Sequence, residues 1–160
     1  MDVNDEKELP SGKKQVNFNN SPPMSSYVCP WHALPHTEIL TLTAVLKLLA
    51  FVVGDLRYIE TKEFRVPIRV YTTPGNEKHG QFSLDLAAKT LKFYEKKFDN
   101  QFPLPKMDMV AIPDFSAGAM ENWGLVLYRV VDLLFDENTS GANTKLRVAE
   151  GTPPNLLPCV

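Results

Sequence analysis

The chain has 160 residues, 44% of them hydrophobic and 22% charged, which suits one soluble globular domain and excludes a fibrous or wholly disordered protein. A net charge of −2 gives no electrostatic reason for nucleic acid or an anionic membrane as partner. Two cysteines, Cys29 and Cys159, are too few and too far apart for a disulfide framework or a zinc knuckle, and they fit a reducing compartment.

The amino terminus, "MDVNDEKELPSGKK", is acidic and polar and lacks the basic start and apolar core of a secretory signal, so a cytoplasmic chain is expected. Residues 1–26 hold one short alternating patch, "QVNFN", a polar strand or loop. The most apolar run, Ile39 to Val53, contains Lys47 and is shorter than the roughly 20 residues a membrane helix needs. From Leu48, "LLAFVVGDLRYIET" and "EFRVPIRVYTT" are β-branched and aromatic, predicting two paired strands, and "TPGN", Thr73 to Asn76, is a turn.

Beyond that turn the period becomes 3.6. Leu84, Ala87, Ala88, Leu91, Tyr94 and Phe98 form one stripe, with Asp85, Lys89, Lys92 and Lys96 facing away, which predicts a helix over about Glu77 to Phe98. Two prolines in "NQFPLPK" stop it. "MDMVAI" is a short strand, "PDFSAGAMEN" a loop, and "GLVLYRVV" from Gly124 a further strand. "DENTSGANTKLRVAE" opens with helix-capping residues and ends in the first turns of a helix, which the three prolines of the tail "GTPPNLLPCV" cut off. No repeats occur. The two periodicities predict a β region followed by an α+β region, with a boundary near Tyr71 to Asn76.

The loop before Gly124 is the place for chemistry. Gly118 and Ala119 lack bulk, so a ligand's backbone can approach the main chain. Glu121 supplies a negative charge and Asn122 both a donor and an acceptor. A carboxylate there attracts an ammonium group such as the free end of a peptide, and so separates a chain end from a chain middle. On spacing alone these are ordinary solvated loop residues, since small-small-Met-Glu-Asn has no generic specificity.

"GAMEN", Gly118 to Asn122, followed by "WGLVLYR", resembles the exopeptidase motif of the alanyl and puromycin-sensitive aminopeptidases, zinc metallopeptidases with a thermolysin-like catalytic domain. "VPIRVYTTPG", "LDLAAKTLKFYEKKFD" and "FPLPKMDMVAIPDFSAGAMENWGLVLYR" resemble consecutive parts of that family, and the likeness covers residues 1–27 and 48–150. The resemblance implies an α+β fold in which residues 1–27 and 48–72 end an antiparallel, saddle-like amino-terminal domain and residues 73–150 begin the thermolysin-like domain. It implies that Glu121 holds the substrate's α-amine and that Gly118 and Ala119 present backbone groups to it. Met120 would border the first side-chain pocket, Asn122 would shape the loop, and Gly124 to Arg129 would be the edge strand beside the cleft. The partners implied are peptides with a free amino terminus.

In this family zinc is held by H-E-x-x-H and a later glutamate. The chain contains no H-E-x-x-H. His32 and His36 are four apart, but Pro30 and Pro35 oppose a helix through both, and His79 reads as a solvated polar residue. Zinc is therefore expected in the full-length family and not on this chain, which is expected to be inactive alone. Val28–Lys47 and Gly151–Val160 fall outside the resemblance. Both are read as translated introns: Val28-Cys29 is compatible with GTATGT, a common intron start, and removing the first segment joins Tyr27 to Leu48. The alternatives are a non-catalytic protein that binds peptides or a homologue, and a product without function.

Overall fold

The computed structural model describes residues 3–10, 14–18, 50 and 52–159. The insert at 28–47, with Cys29, His32 and His36, lies outside the described residues. Near the amino terminus β1 (Val3–Glu8) pairs antiparallel with β2 (Lys14–Phe18), so the polar patch is a strand. The second sheet has five strands: β3 (Arg57–Thr61), β4 (Ile68–Thr72), β5 (Met107–Ile112), β6 (Ala119–Asn122) and β7 (Leu125–Arg129), in the order β3-β4-β5-β7-β6. The three central strands are parallel, and both edge strands run antiparallel to their neighbours. The fold is therefore mixed α and β. The strands on either side of the Thr73 turn share one sheet, with β4 bonded directly to β5.

Parallel β4 and β5 need a crossover, and the long helix supplies it. A 3-10 turn at Glu77–Gly80 leads into α1 (Gln81–Phe98). Leu84, Ala87, Ala88 and Leu91 are fully buried against Ile68, Val70, Met107 and Met109 of the central strands. Each such large side chain contributes about 1.5–3 kcal/mol by leaving water. The stripe ends sooner than its spacing predicts. Tyr94 is half-buried and donates its hydroxyl to Pro153 O at 3.2 Å, while Phe98 in the last turn is 49% exposed. The sheet covers only the first part of α1, and the following helix takes over at Tyr94.

Glu95 fastens the end of α1. Its carboxylate accepts from Arg65 Nη2 and from the Phe102 N–H, both at 2.7 Å. Burial alone would raise its pKa, but those two donors hold it below the ordinary value of 4.5. A carboxyl with a lowered folded-state pKa stabilises above its unfolded pKa, and that stability is lost as pH falls through the folded value. Glu95→Gln is thus expected to lower stability by about 1 kcal/mol at neutral pH, the gap to the parent closing in acid. Urea unfolding at pH 7 and pH 3 measures both.

After β7 comes a single helical turn, α2 (Val130–Leu133), and then α3 (Ala142–Leu156). Here the structure differs from the expectation that the prolines end the helix at Glu150. Pro153 and Pro154 lie inside α3, which runs on into a 3-10 turn at Leu157–Cys159. Val148, Thr152, Leu156 and Cys159 are all at most 1% exposed and fall on one helical stripe. Each proline removes an intrahelical bond at a cost of about 3 kcal/mol mid-helix, less at a last turn whose carbonyls lack partners anyway. Burial of that stripe on the core is of comparable size. Among the described residues no helix is long and apolar enough to cross a membrane.

Candidate functional site

Residues 119–122 are not a loop: they form β6, the outermost strand of the sheet. The strand beginning after Gly124, expected at the edge, is instead interior, between β5 and β6. The tight turn Trp123–Gly124 joins β6 to β7. Gly124 has φ +78, and a Cβ there would lie 2.7 Å from Leu104 Cδ1, so only glycine suits the position. Lys106 Nζ donates to Gly124 O at 3.1 Å and to Asp108 Oδ2 at 2.5 Å, and the Asp108 N–H donates to the same carbonyl at 3.1 Å. A buried ion pair thereby fixes the turn end of the hairpin.

Register decides which way each β6 residue faces. Ala119 pairs with Tyr128 and Glu121 with Val126, and Val126 in turn pairs with Met109. Ala119 and Glu121 therefore share the sheet face that α1 covers further in, while Met120 and Asn122 belong to the other face. Gly118 and Glu121 are exposed, Met120 is 42% exposed, Ala119 is half-buried and Asn122 is buried. A Cβ at Gly118 would stand in about ordinary contact, 3.4 Å from Asp132 Oδ2, and the Gly118 carbonyl accepts the Arg129 N–H at 2.9 Å. Ala119, Met120, Glu121 and Asn122 thus follow one another along β6, the outermost strand among the described residues, with Gly118 just before it, and Glu121 is the exposed charge among them.

Among the described residues Glu121 has no cationic partner. Its neighbours on the same face are closed and neutral. Tyr128 is fully buried with its hydroxyl unbonded among the described residues, and burial, then the charges of Cys159 and Glu121, push its pKa far up. Burial also pushes the Cys159 thiol up to about 11, against a lowering hydrogen bond from Gly124, with the Glu121 charge adding to the rise. Trp123 Nε1 donates to Cys159 O at 3.4 Å, which ties the 3-10 turn to the hairpin. A carboxylate without a cationic partner among the described residues, on a strand whose outer edge no described strand pairs, suits an extended ligand bearing a positive charge.

Among the described residues no group of three or more His, Cys, Asp and Glu could hold a metal ion. His79 lies 3.9 Å from Asp136, half-exposed beside the start of α1. These residues do not fit a zinc site.

Sequence reasoning missed Lys106, Asp108 and Arg129. They act on main-chain carbonyls of another segment, and no local pattern marks such contacts. The hairpin did leave a signal: two residues ending in glycine between Asn122 and Leu125 are a turn of hairpin length.

Residues 82–152 match the Peptidase family M1 domain. Aminopeptidase 2, mitochondrial, of Saccharomyces cerevisiae is 54% identical over 150 residues, 94% of this chain and 14% of that protein. The alanine/arginine aminopeptidase of the same yeast is 51% identical over 150 residues, 94% of this chain and 15% of the relative. The puromycin-sensitive aminopeptidase of Caenorhabditis elegans is 45% identical over 151 residues, covering 93% of this chain and 14% of the relative. The chain thus spans about one-seventh of the length of these relatives. With that identity across nearly all of its own length, the chain belongs to peptidase family M1, the zinc-dependent aminopeptidases.

Proposed function

We propose that this chain carries the substrate-recognition strand of an aminopeptidase that removes amino-terminal residues from peptides. Residues 73–150 would begin a thermolysin-like catalytic domain, and residues 1–27 and 48–72 would close the saddle-like domain before it. A peptide would lie extended along β6, pairing near Gly118 and Ala119 with the backbone edge that no described strand occupies. Its α-ammonium would meet Glu121, its first side chain would border Met120, and buried Asn122 would hold the end of the strand. A chain middle or a blocked terminus has no charge to offer Glu121, so the carboxylate confines binding to free ends. Bound zinc supplies the activated water in this family; the described residues supply recognition and not that chemistry.

The observation that carries this proposal is the exposed carboxylate of Glu121 on β6, without a cationic partner among the described residues. Titration of the chain with a tripeptide and its amino-acetylated twin tests it. About tenfold tighter binding of the free peptide is expected, roughly 1.4 kcal/mol for a charge-assisted contact at an exposed site, with no hydrolysis. Equal affinities would remove Glu121 from the recognition of amino termini.

A further inference from the structure

The segment that enters β6 is held by one side chain from the neighbouring strand. Arg129, the last residue of β7, donates from Nε to Phe115 O at 2.9 Å and from Nη2 to Ser116 O, and its backbone N–H donates to Gly118 O at 2.9 Å. One residue thus binds three carbonyls of the four-residue stretch leading into the strand. That stretch has little else to hold it. Pro113, Asp114, Ser116, Ala117 and Gly118 are exposed, and Asp114 sits at φ 54, in the left-handed region that a non-glycine residue occupies at a cost.

β6 itself is four residues long and, among the described residues, has a strand partner on one side only, so the β7 ladder alone leaves its start free to fray. Glu121 is three residues beyond Gly118. We infer that Arg129 is a positioning residue for amine recognition: by bracing the carbonyls of Phe115 and Ser116 with its side chain, beside the main-chain bond to Gly118 O, it fixes where β6 begins and so where the Glu121 carboxylate stands. This rests on the reading that Glu121 receives the peptide amine. Direct action of the Arg129 charge on Glu121 is not the route. Strand alternation puts Arg129 on the face of Leu125 and Leu127, and Glu121, opposite Val126, on the other. The planar guanidinium matters because two of its nitrogens reach two carbonyls at once with fixed geometry, which a lysine ammonium cannot copy.

The test is the titration with the free tripeptide and its acetylated twin, made on the parent chain, Arg129→Ala and Arg129→Lys. The parent is expected to prefer the free peptide about tenfold. In Arg129→Ala the preference is expected to fall below about twofold, through weaker binding of the free peptide and unchanged binding of the acetylated one. Millimolar methylguanidine should restore most of it, and Arg129→Lys should lie between. If Arg129→Ala does not unfold cooperatively, Arg129→Lys decides by the same comparison. An Arg129 variant that keeps the full preference, or one that weakens both peptides equally, overturns the positioning role and leaves the Glu121 reading in place. A parent chain without preference overturns the reading beneath it as well.

Discussion

Replacing Lys106 by methionine is expected to lower the stability of the fold by about 3 kcal/mol. The Lys106 and Asp108 side chains are 12% and 9% exposed, and their charged atoms are 2.5 Å apart. Without the ammonium, the Asp108 carboxylate remains largely out of water, with only Arg69 Nη1 nearby at 3.9 Å, and Arg69 is already engaged by Glu60 at 2.8 Å. Gly124 O loses one of its donors in the same step. The cost is mainly that of a stranded charge, not the worth of the pair, so a second change should relieve it. Lys106→Met with Asp108→Leu, which replaces both partners by apolar groups of similar size, is expected to recover most of the loss. Urea unfolding of the parent, the single and the double variant measures this. A double variant no more stable than the single one would contradict it.

The second large effect is expected at the hairpin turn. Gly124→Ala adds a Cβ at a φ of +78, and that atom would lie 2.7 Å from Leu104 Cδ1. Left-handed backbone costs a non-glycine residue about 1–2 kcal/mol, and Leu104, itself 3% exposed, has little room to yield. A loss of about 2–3 kcal/mol follows, read as a lower melting temperature. Because the turn sets the register of β6 on β7, recognition of free amino termini should weaken with it. A melting temperature unchanged from the parent would show that the turn accommodates a side chain.

Both substitutions fall where the sequence is least readable. The stripe Leu84, Ala87, Ala88, Leu91 was legible because helix period and burial coincide there, the two β-branched and aromatic runs after Leu48 hold β3 and β4, and the short apolar runs at Met107 and Leu125 became β5 and β7. β6 was not, because Ala119 to Asn122 has no apolar alternation and becomes a strand only through pairing with β7. In the tail the local rule misled: proline propensity predicts a stop after Glu150, whereas the stripe Val148, Thr152, Leu156, Cys159 carries the helix on into the core. Tertiary burial outweighed propensity there. Phe98 errs the other way, an apolar residue at the right period that the sheet does not reach. For the site, Glu121 was named through family resemblance, since its own residues carry no generic signal. Its exposure and place on the free edge appear only once β7 is known to be interior.

The most direct measurement is the ratio of affinities for free and acetylated tripeptide as a function of pH, in the parent chain and in Glu121→Gln. A peptide α-amine has a pKa of about 7.7–8.0 and carries its charge below that value. The ratio in the parent should be near tenfold at about pH 6.5 and fall toward one by about pH 9.5, as the ligand's ammonium loses its proton. In Glu121→Gln it should be close to one throughout. A ratio that stays flat across that range in the parent, or a Glu121→Gln chain that keeps the parent's preference, would contradict recognition of the peptide amine by this carboxylate.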